Sequence, residues 1–226
     1  MPAKNRIKTY QENGYYHIYN RGVAKQPIFL DEQDYKVFLS YLKTYLSPQN
    51  NKDLQRQINQ AKNWSEKHAI IRLINLKNFS KEIDLLAYCL MPNHLHLLIK
   101  QKPATAIKEF IQAIMTKYST YFNKKYNRVG GIFQGPYKAT LVKSDDQLLH
   151  LTRYIHQNPN STRPGLVELL KYRYSSLPNY LGKFKQSWVK AAEILSFFKE
   201  NHPTLSYKSF VTENQNTNLI QNIILD

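Results

Sequence analysis

The sequence is short of several things, and each shortage closes a route. A single cysteine, Cys89, excludes a disulfide framework and any zinc site built on thiolates. It lies in the apolar run IDLLAYCL and is expected in the core. No stretch approaches the ~18 consecutive apolar residues of a membrane-spanning helix, so no contact with a membrane is expected. The start, MPAKNRIKTYQENG, lacks the apolar centre of a secretory signal, and a cytoplasmic location is expected. Acidic residues are scarce: 16 Asp and Glu stand against 32 Lys and Arg, a formal charge of +16. No internal repeat or low-complexity tract breaks the 226 residues, a length sufficient for one sizeable core and a smaller appended part.

What the chain has in excess is positive charge and tyrosine, of which there are 17. A chain this basic is suited to a polyanion, since each neutralised phosphate releases condensed counterions. Aromatics mixed with Lys and Arg suit single-stranded nucleic acid, whose bases stack on rings. A basic ribosomal-type protein would share that composition, so patterning has to discriminate.

The segment YYHIYN, ending at Arg21-Gly22, reads as a strand. From Asp31, apolar Tyr35, Phe38, Leu39 and Leu42 follow helical spacing behind an acidic first turn. Residues 47–81 are polar and read as an insertion with its own helix around Leu54 to Ile74. IDLLAYCL and HLHLLI flank Pro92-Asn93 and predict a β-hairpin. A long helix follows from about Ala104 to Lys125, with an apolar stripe from Ile107 to Phe122. IFQGPYKATLV reads as a fourth strand bent at Gly135-Pro136. A short helix then begins at Ser144, whose spacing to Gln147 is that of a capping box. Pro159 stops it. Strand–helix–strand–strand–helix–strand predicts a ferredoxin-like α+β fold, an antiparallel sheet with helices on one face. The expected division is a domain over 1–159, containing the 47–81 insertion, and a helical C-terminal extension over 160–226.

His94 and His96 alternate with Leu95 in a strand, so their imidazoles share one face and can converge on one cation. Two polar residues on a solvated strand would look the same. Tyr154 and Asn158 lie one turn apart on the short helix, to one side of Leu148, Leu151 and Ile155. Tyr154 is a candidate nucleophile, with an ordinary interfacial tyrosine as the alternative. Tyr118 and Tyr121 are its rivals, although both fall on the long helix's apolar stripe. Lys117, Lys124, Lys125 and Arg128 cluster toward that helix's end, where they complement its dipole or meet phosphate. His17, Arg21 and Lys138 are further candidates for DNA contact, and packing would equally explain His17.

The string MPNHLHLLI, with His94 and His96, resembles the HUH motif of single-tyrosine transposases, and most nearly the REP-associated branch. The likeness extends to YHIYNRG, YFNKKYNRVGGIFQGPYKA and RYIHQNP, over roughly residues 14 to 160, with a weaker fit at SSLPNYLG and Trp188. The resemblance implies that His94, His96 and Asn158 bind Mg²⁺ or Mn²⁺ and that Tyr154 is the nucleophile. On ligand softness alone, two imidazoles and an amide oxygen also suit Zn²⁺. It implies cleavage and rejoining of single-stranded or hairpin DNA through a 5′-phosphotyrosine, by a monomer or a homodimer. Two departures stand out. Pro136 occupies a position commonly held by Arg in similar sequences, and the insertion is long. Competing readings are a non-catalytic hairpin-binding descendant of a transposase, a replication initiator or relaxase, and a basic RNA-binding protein.

Overall fold

The computed structural model describes residues 10–160, 166–213 and 218–224. Positions 1–9 of the expected domain, and 161–165, 214–217 and 225–226 of the expected extension, lie outside them. Four strands form one antiparallel sheet: β1 (Tyr15–Arg21), β2 (Ile83–Met91), β3 (His94–Gln101) and β4 (Lys138–Val142), in the order β2-β3-β1-β4. That is the ferredoxin-like order of an α+β fold. Tyr19 sits opposite His96, Arg21 opposite His94 and Lys138 opposite Tyr19. Because strand side chains alternate, His17, Tyr19, Arg21, His94, His96 and Lys138 share one face. Leu95, Leu97, Ile99 and Gln101 point to the other.

The second face is covered by α1 (Glu32–Leu46) and α4 (Ala106–Lys125). Asp31 starts α1 as predicted, its carboxylate accepting from Asp34 N at 3.1 Å while the Asp34 carboxylate reaches back. Tyr35, Phe38 and Leu42 are buried from this helix, and Ile107, Phe110, Ile111, Ile114, Tyr118 and Phe122 from α4. Gln101 pins the start of α4 by accepting from Ile107 N at 3.1 Å.

Helices cover the first face too. On it lies α5 (Asp145–Gln157), burying Leu148, Leu151 and Ile155. The reason is β3 itself, whose Leu95, Leu97, Leu98 and Ile99 are fully buried. A strand apolar on both sides needs cover on both. Ser144 caps α5 as its spacing predicts, accepting from Gln147 N at 3.2 Å, and the Gln147 amide oxygen accepts from Lys143 N at 2.9 Å.

Two elements differ from the sequence reading. The insertion folds as two helices, α2 (Asn51–Gln60) and α3 (Trp64–Ile74). Asn63 caps α3 by accepting from Glu66 N, and Glu66 accepts from Lys62 N, both at 2.8 Å. Those bonds end the first helix where periodicity alone would continue it. The fourth strand is only five residues long, because Gly135 adopts φ +143° and Pro136 offers no N–H to a ladder.

The C-terminal extension consists of short helices, α6 (Leu166–Lys171), α7 (Leu177–Tyr180), α8 (Ala192–Leu195) and α9 (Tyr207–Thr212). Between them it pairs with the outer edge of β2: Leu90 N donates to Tyr174 O, Ser176 N to Tyr88 O and Lys190 N to Leu85 O, at 2.8–3.0 Å. An apolar edge strand is thereby closed to other chains. The extension also grips α5. Arg153 pairs with Glu213 at 3.2 Å and lies 3.8 Å over the Phe210 ring. His156 bonds the Tyr207 hydroxyl at 2.6 Å and the Ser176 hydroxyl at 2.7 Å. The Gln157 amide donates to Val211 O and Glu213 O at 2.7 and 2.9 Å.

Burial pushes the His156 imidazole down to a pKa of about 3. Its folded value lies below the unfolded one of about 6.5, so its stabilising share is complete above pH 6.5 and lost as pH falls toward 3. The linkage slope is at most about 1.4 kcal/mol per pH unit. His156→Gln, which keeps polar partners and cannot titrate there, should show a shallower acid limb in a plot of melting temperature against pH. An unchanged slope would refute this assignment.

Candidate functional site

The site assembles where β3 begins, against the end of α5. The Pro92-Asn93 turn places His94, and Asn93 orients it. The Asn93 amide nitrogen donates to Lys25 O at 3.1 Å, so its oxygen faces His94 Nδ1 at 2.7 Å. Nδ1 therefore carries the proton and donates. Burial holds His94 below the usual imidazole range, with the Arg21 charge adding to the effect and Asn158 opposing it. A neutral ring with Nδ1 protonated leaves a lone pair on Nε2. That lone pair meets Asn158 Oδ1 at 3.0 Å. Two acceptors face one another.

His96 is fully buried. Its Nδ1 lies 2.9 Å from His17 Nε2, and its Nε2 is a buried nitrogen without a hydrogen-bond partner. Burial, then the neighbouring His17 and His94 and the Arg21 charge, keep His96 well below its ordinary pKa. The His94 and His96 rings stand at 88° with centroids 5.0 Å apart. Tyr154, one turn before Asn158 on α5, is partly buried. Its ring meets His96 edge-on at 5.4 Å and His17 at 6.2 Å.

These residues fit a divalent cation. Facing lone pairs repel unless a cation lies between them. Neighbouring ligands of an octahedral ion with bonds of about 2.1 Å are about 3 Å apart, the separation seen. Among the described residues, no group of three or more His, Cys, Asp or Glu forms a metal site. The set is two imidazoles and an amide oxygen, with no carboxylate. A neutral set leaves a cation's full charge to polarise an anion. His17 supports it by engaging His96 Nδ1, which leaves Nε2 as the ligating atom.

The other candidates separate cleanly. Arg21 flanks the site, its Nε buried and without a hydrogen-bond partner, and Lys138 lies beside Tyr19 with Nζ 5.5 Å from the ring centroid. Both suit an incoming phosphate. Lys117, Lys124, Lys125 and Arg128 lie on or after α4, across the sheet from Tyr154. Lys117 rests over Tyr41 at 4.7 Å, Arg128 lies 5.7 Å over Phe122, and Lys125 is paired with Asp31 and Asp34 at 2.7 and 2.8 Å. The rival tyrosines belong to that side as well. The Tyr118 hydroxyl donates to Ile28 O at 2.5 Å and that of Tyr121 to Asp34 at 2.9 Å. Sequence reasoning treated His17 as a packing or DNA-contact residue and missed its bond to His96. It noted the turn at Asn93 but missed the Asn93 bond to His94, and missed the α5 grip altogether.

Against known families, residues 55–158 match the model described as Transposase IS200 like. No curated protein matches. Among solved structures, a REP-associated tyrosine transposase bound to a REP hairpin aligns with a TM-score of 0.44 at 10% identity, over 80% of this chain and 87% of that one. A candidate transposase from Deinococcus radiodurans R1 aligns with a TM-score of 0.34 at 16% identity, over 69% and 96%. The family match runs from within α2 to the end of α5, so the stretch carrying His94, His96, Tyr154 and Asn158 is similar to an IS200-like transposase domain.

Proposed function

We propose that this chain nicks and rejoins single-stranded or hairpin DNA through a covalent bond to Tyr154. Transposases of the matched family cleave DNA and generally use a divalent metal. The observation that carries the finer reading is the 3.0 Å approach of His94 Nε2 to Asn158 Oδ1 next to the His96 ring, whose Nε2 is unpartnered, with the Tyr154 ring alongside. His94, His96 and Asn158 would hold the ion, Mg²⁺ or Mn²⁺ by the family resemblance. When bound, it supplies Lewis acidity toward a phosphate oxygen.

Tyr154 Oη attacks phosphorus, and the bond from phosphorus to the upstream 3′ oxygen breaks. The phenolic proton goes to solvent, and the departing oxygen takes one up as a 3′-hydroxyl. The downstream strand remains on the protein as a 5′-phosphotyrosine. Attack by a second strand's 3′-hydroxyl forms a new phosphodiester and frees Tyr154. One P–O bond forms for each that breaks, so no ATP is needed. Arg21 and Lys138 bring the phosphate into place by charge. The +16 charge and 17 tyrosines support a nucleic-acid substrate.

The test uses one hairpin oligonucleotide labelled at either end, with Mn²⁺ present. A 3′ label should become protein-bound on a denaturing gel, while a 5′ label is released on a fragment ending in a 3′-hydroxyl. Tight binding with neither outcome would favour the non-catalytic hairpin-binding protein.

A further inference from the structure

We propose that the α2–α3 hairpin is a second nucleic-acid contact, a stacking surface for unpaired bases of the DNA strand that flanks the cleavage site. The proposal rests on the DNA-processing role above and adds a site to it. The chain has two tryptophans. Trp188 is 5% exposed and lies against Tyr88, whereas Trp64 is 72% exposed. Trp64 begins α3, and its ring lies against His68 one turn later, centroids 3.7 Å apart. Neither α2 nor α3 fully buries a side chain. The Trp64 indole is thus a broad aromatic face open to a partner's ring.

Charge identifies the occupant. Lys52, Arg56, Lys62, Lys67 and Arg72 are all exposed, and among the described residues none of them takes part in an ion pair. Lys77, at the base of the hairpin, shows the contrast by pairing with Glu82 and Glu109. The acids of the hairpin, Asp53 and Glu66, are taken up by Gln57 and by Lys62 N. Trp64, Lys67, His68 and Arg72 follow helical spacing and form one ridge about 12 Å long. Unpaired cations around an aromatic platform complement the phosphates and base faces of a single strand. A duplex offers the phosphates but hides the base faces, and would leave Trp64 uncovered.

The hairpin's position sets a length requirement. It joins the sheet at Ile83, opposite Gln101, while His94 lies at the other end of β3. Seven residue steps at ~3.3 Å separate those ends by about 23 Å. A substrate trimmed close to the cleavage site therefore falls short of α3, and one with a long flank reaches it.

The experiment compares wild type, Trp64→Ala and the double variant Lys67→Glu, Arg72→Glu, each checked for helix content by circular dichroism. Probes are oligo-dT, a matched duplex, and a hairpin substrate with short or long single-stranded flanks. In wild type, oligo-dT should quench the emission of the exposed indole, and Trp64→Ala should lose that response. Trp64→Ala should also weaken binding of the long-flank substrate by about tenfold, leaving short-flank binding and cleavage unchanged. The charge variant should lose the same length dependence. Unchanged quenching or length dependence in Trp64→Ala overturns the proposal. Equal losses on duplex and single strand overturn it too, as does a change in sedimentation that makes Trp64 a contact between copies. If length-dependent binding persists while no adduct ever forms, the cleavage reading fails and this surface stands. Adduct formation without any Trp64 response has the opposite meaning.

Discussion

Tyr154→Phe should lose DNA cleavage by at least about a thousandfold while keeping its fold and its grip on DNA. The substitution removes one oxygen and retains the ring that meets His96 and His17 edge-on. Even with a lost hydrogen bond the cost is about 0.5–1.5 kcal/mol, a few degrees in melting temperature for a chain of this size. Tyr118→Phe supplies the inverse result. Its hydroxyl satisfies Ile28 O in a fully buried setting, and losing that donor costs about 1–3 kcal/mol. Cleavage should survive, because Tyr118 lies on the far side of the sheet. The two variants thus separate chemistry from stability in opposite directions. A covalent adduct that persists in Tyr154→Phe means another residue is the nucleophile.

Removing either imidazole should have an effect of similar size. His94→Ala and His96→Ala each delete a proposed ligand, and Lewis acidity of several kcal/mol amounts to about a thousandfold in rate. His94→Ala is the cleaner of the two, because His96 is fully buried and its loss also leaves a hole. Mn²⁺ binding followed by electron paramagnetic resonance reads the site without cleavage. Affinity should fall in both variants and rise in Asn158→Asp, which puts a charged oxygen where the amide oxygen now faces His94. His17→Phe should weaken binding by about 10–100-fold through the freed His96 Nδ1. Wild-type Mn²⁺ affinity in both alanine variants removes the metal site.

Much of this was legible in the chain. Alternation in HLHLLI placed both imidazoles on one face, and Ser144 with Gln147 marked the start of α5 to the residue. The apolar stripe of α4 already assigned Tyr118 and Tyr121 to packing. What was not legible is what depends on pairing between distant segments. His17 meets His96 across 79 positions, through a β1–β3 register that no local pattern states. Lys125 lies near the end of α4, but its charge is directed at Asp31 and Asp34, 94 and 91 positions earlier. The break in the insertion could have been read from Asn63 and Glu66, which have capping spacing. The extension could not, because helices of four to six residues are too short to show a period.

Along α5, anchoring and chemistry alternate almost residue by residue: Arg153, His156 and Gln157 hold the extension, and Tyr154 and Asn158 face the histidines. That interleaving constrains how such a chain can be inherited. A tail exchanged by recombination near residue 160 would arrive without partners matched to Arg153, His156 and Gln157, and the helix holding Tyr154 would shift with it. Tail and helix therefore have to change together. Glu213 and Tyr207 should drift in step with their α5 partners rather than at the pace of the surface around them.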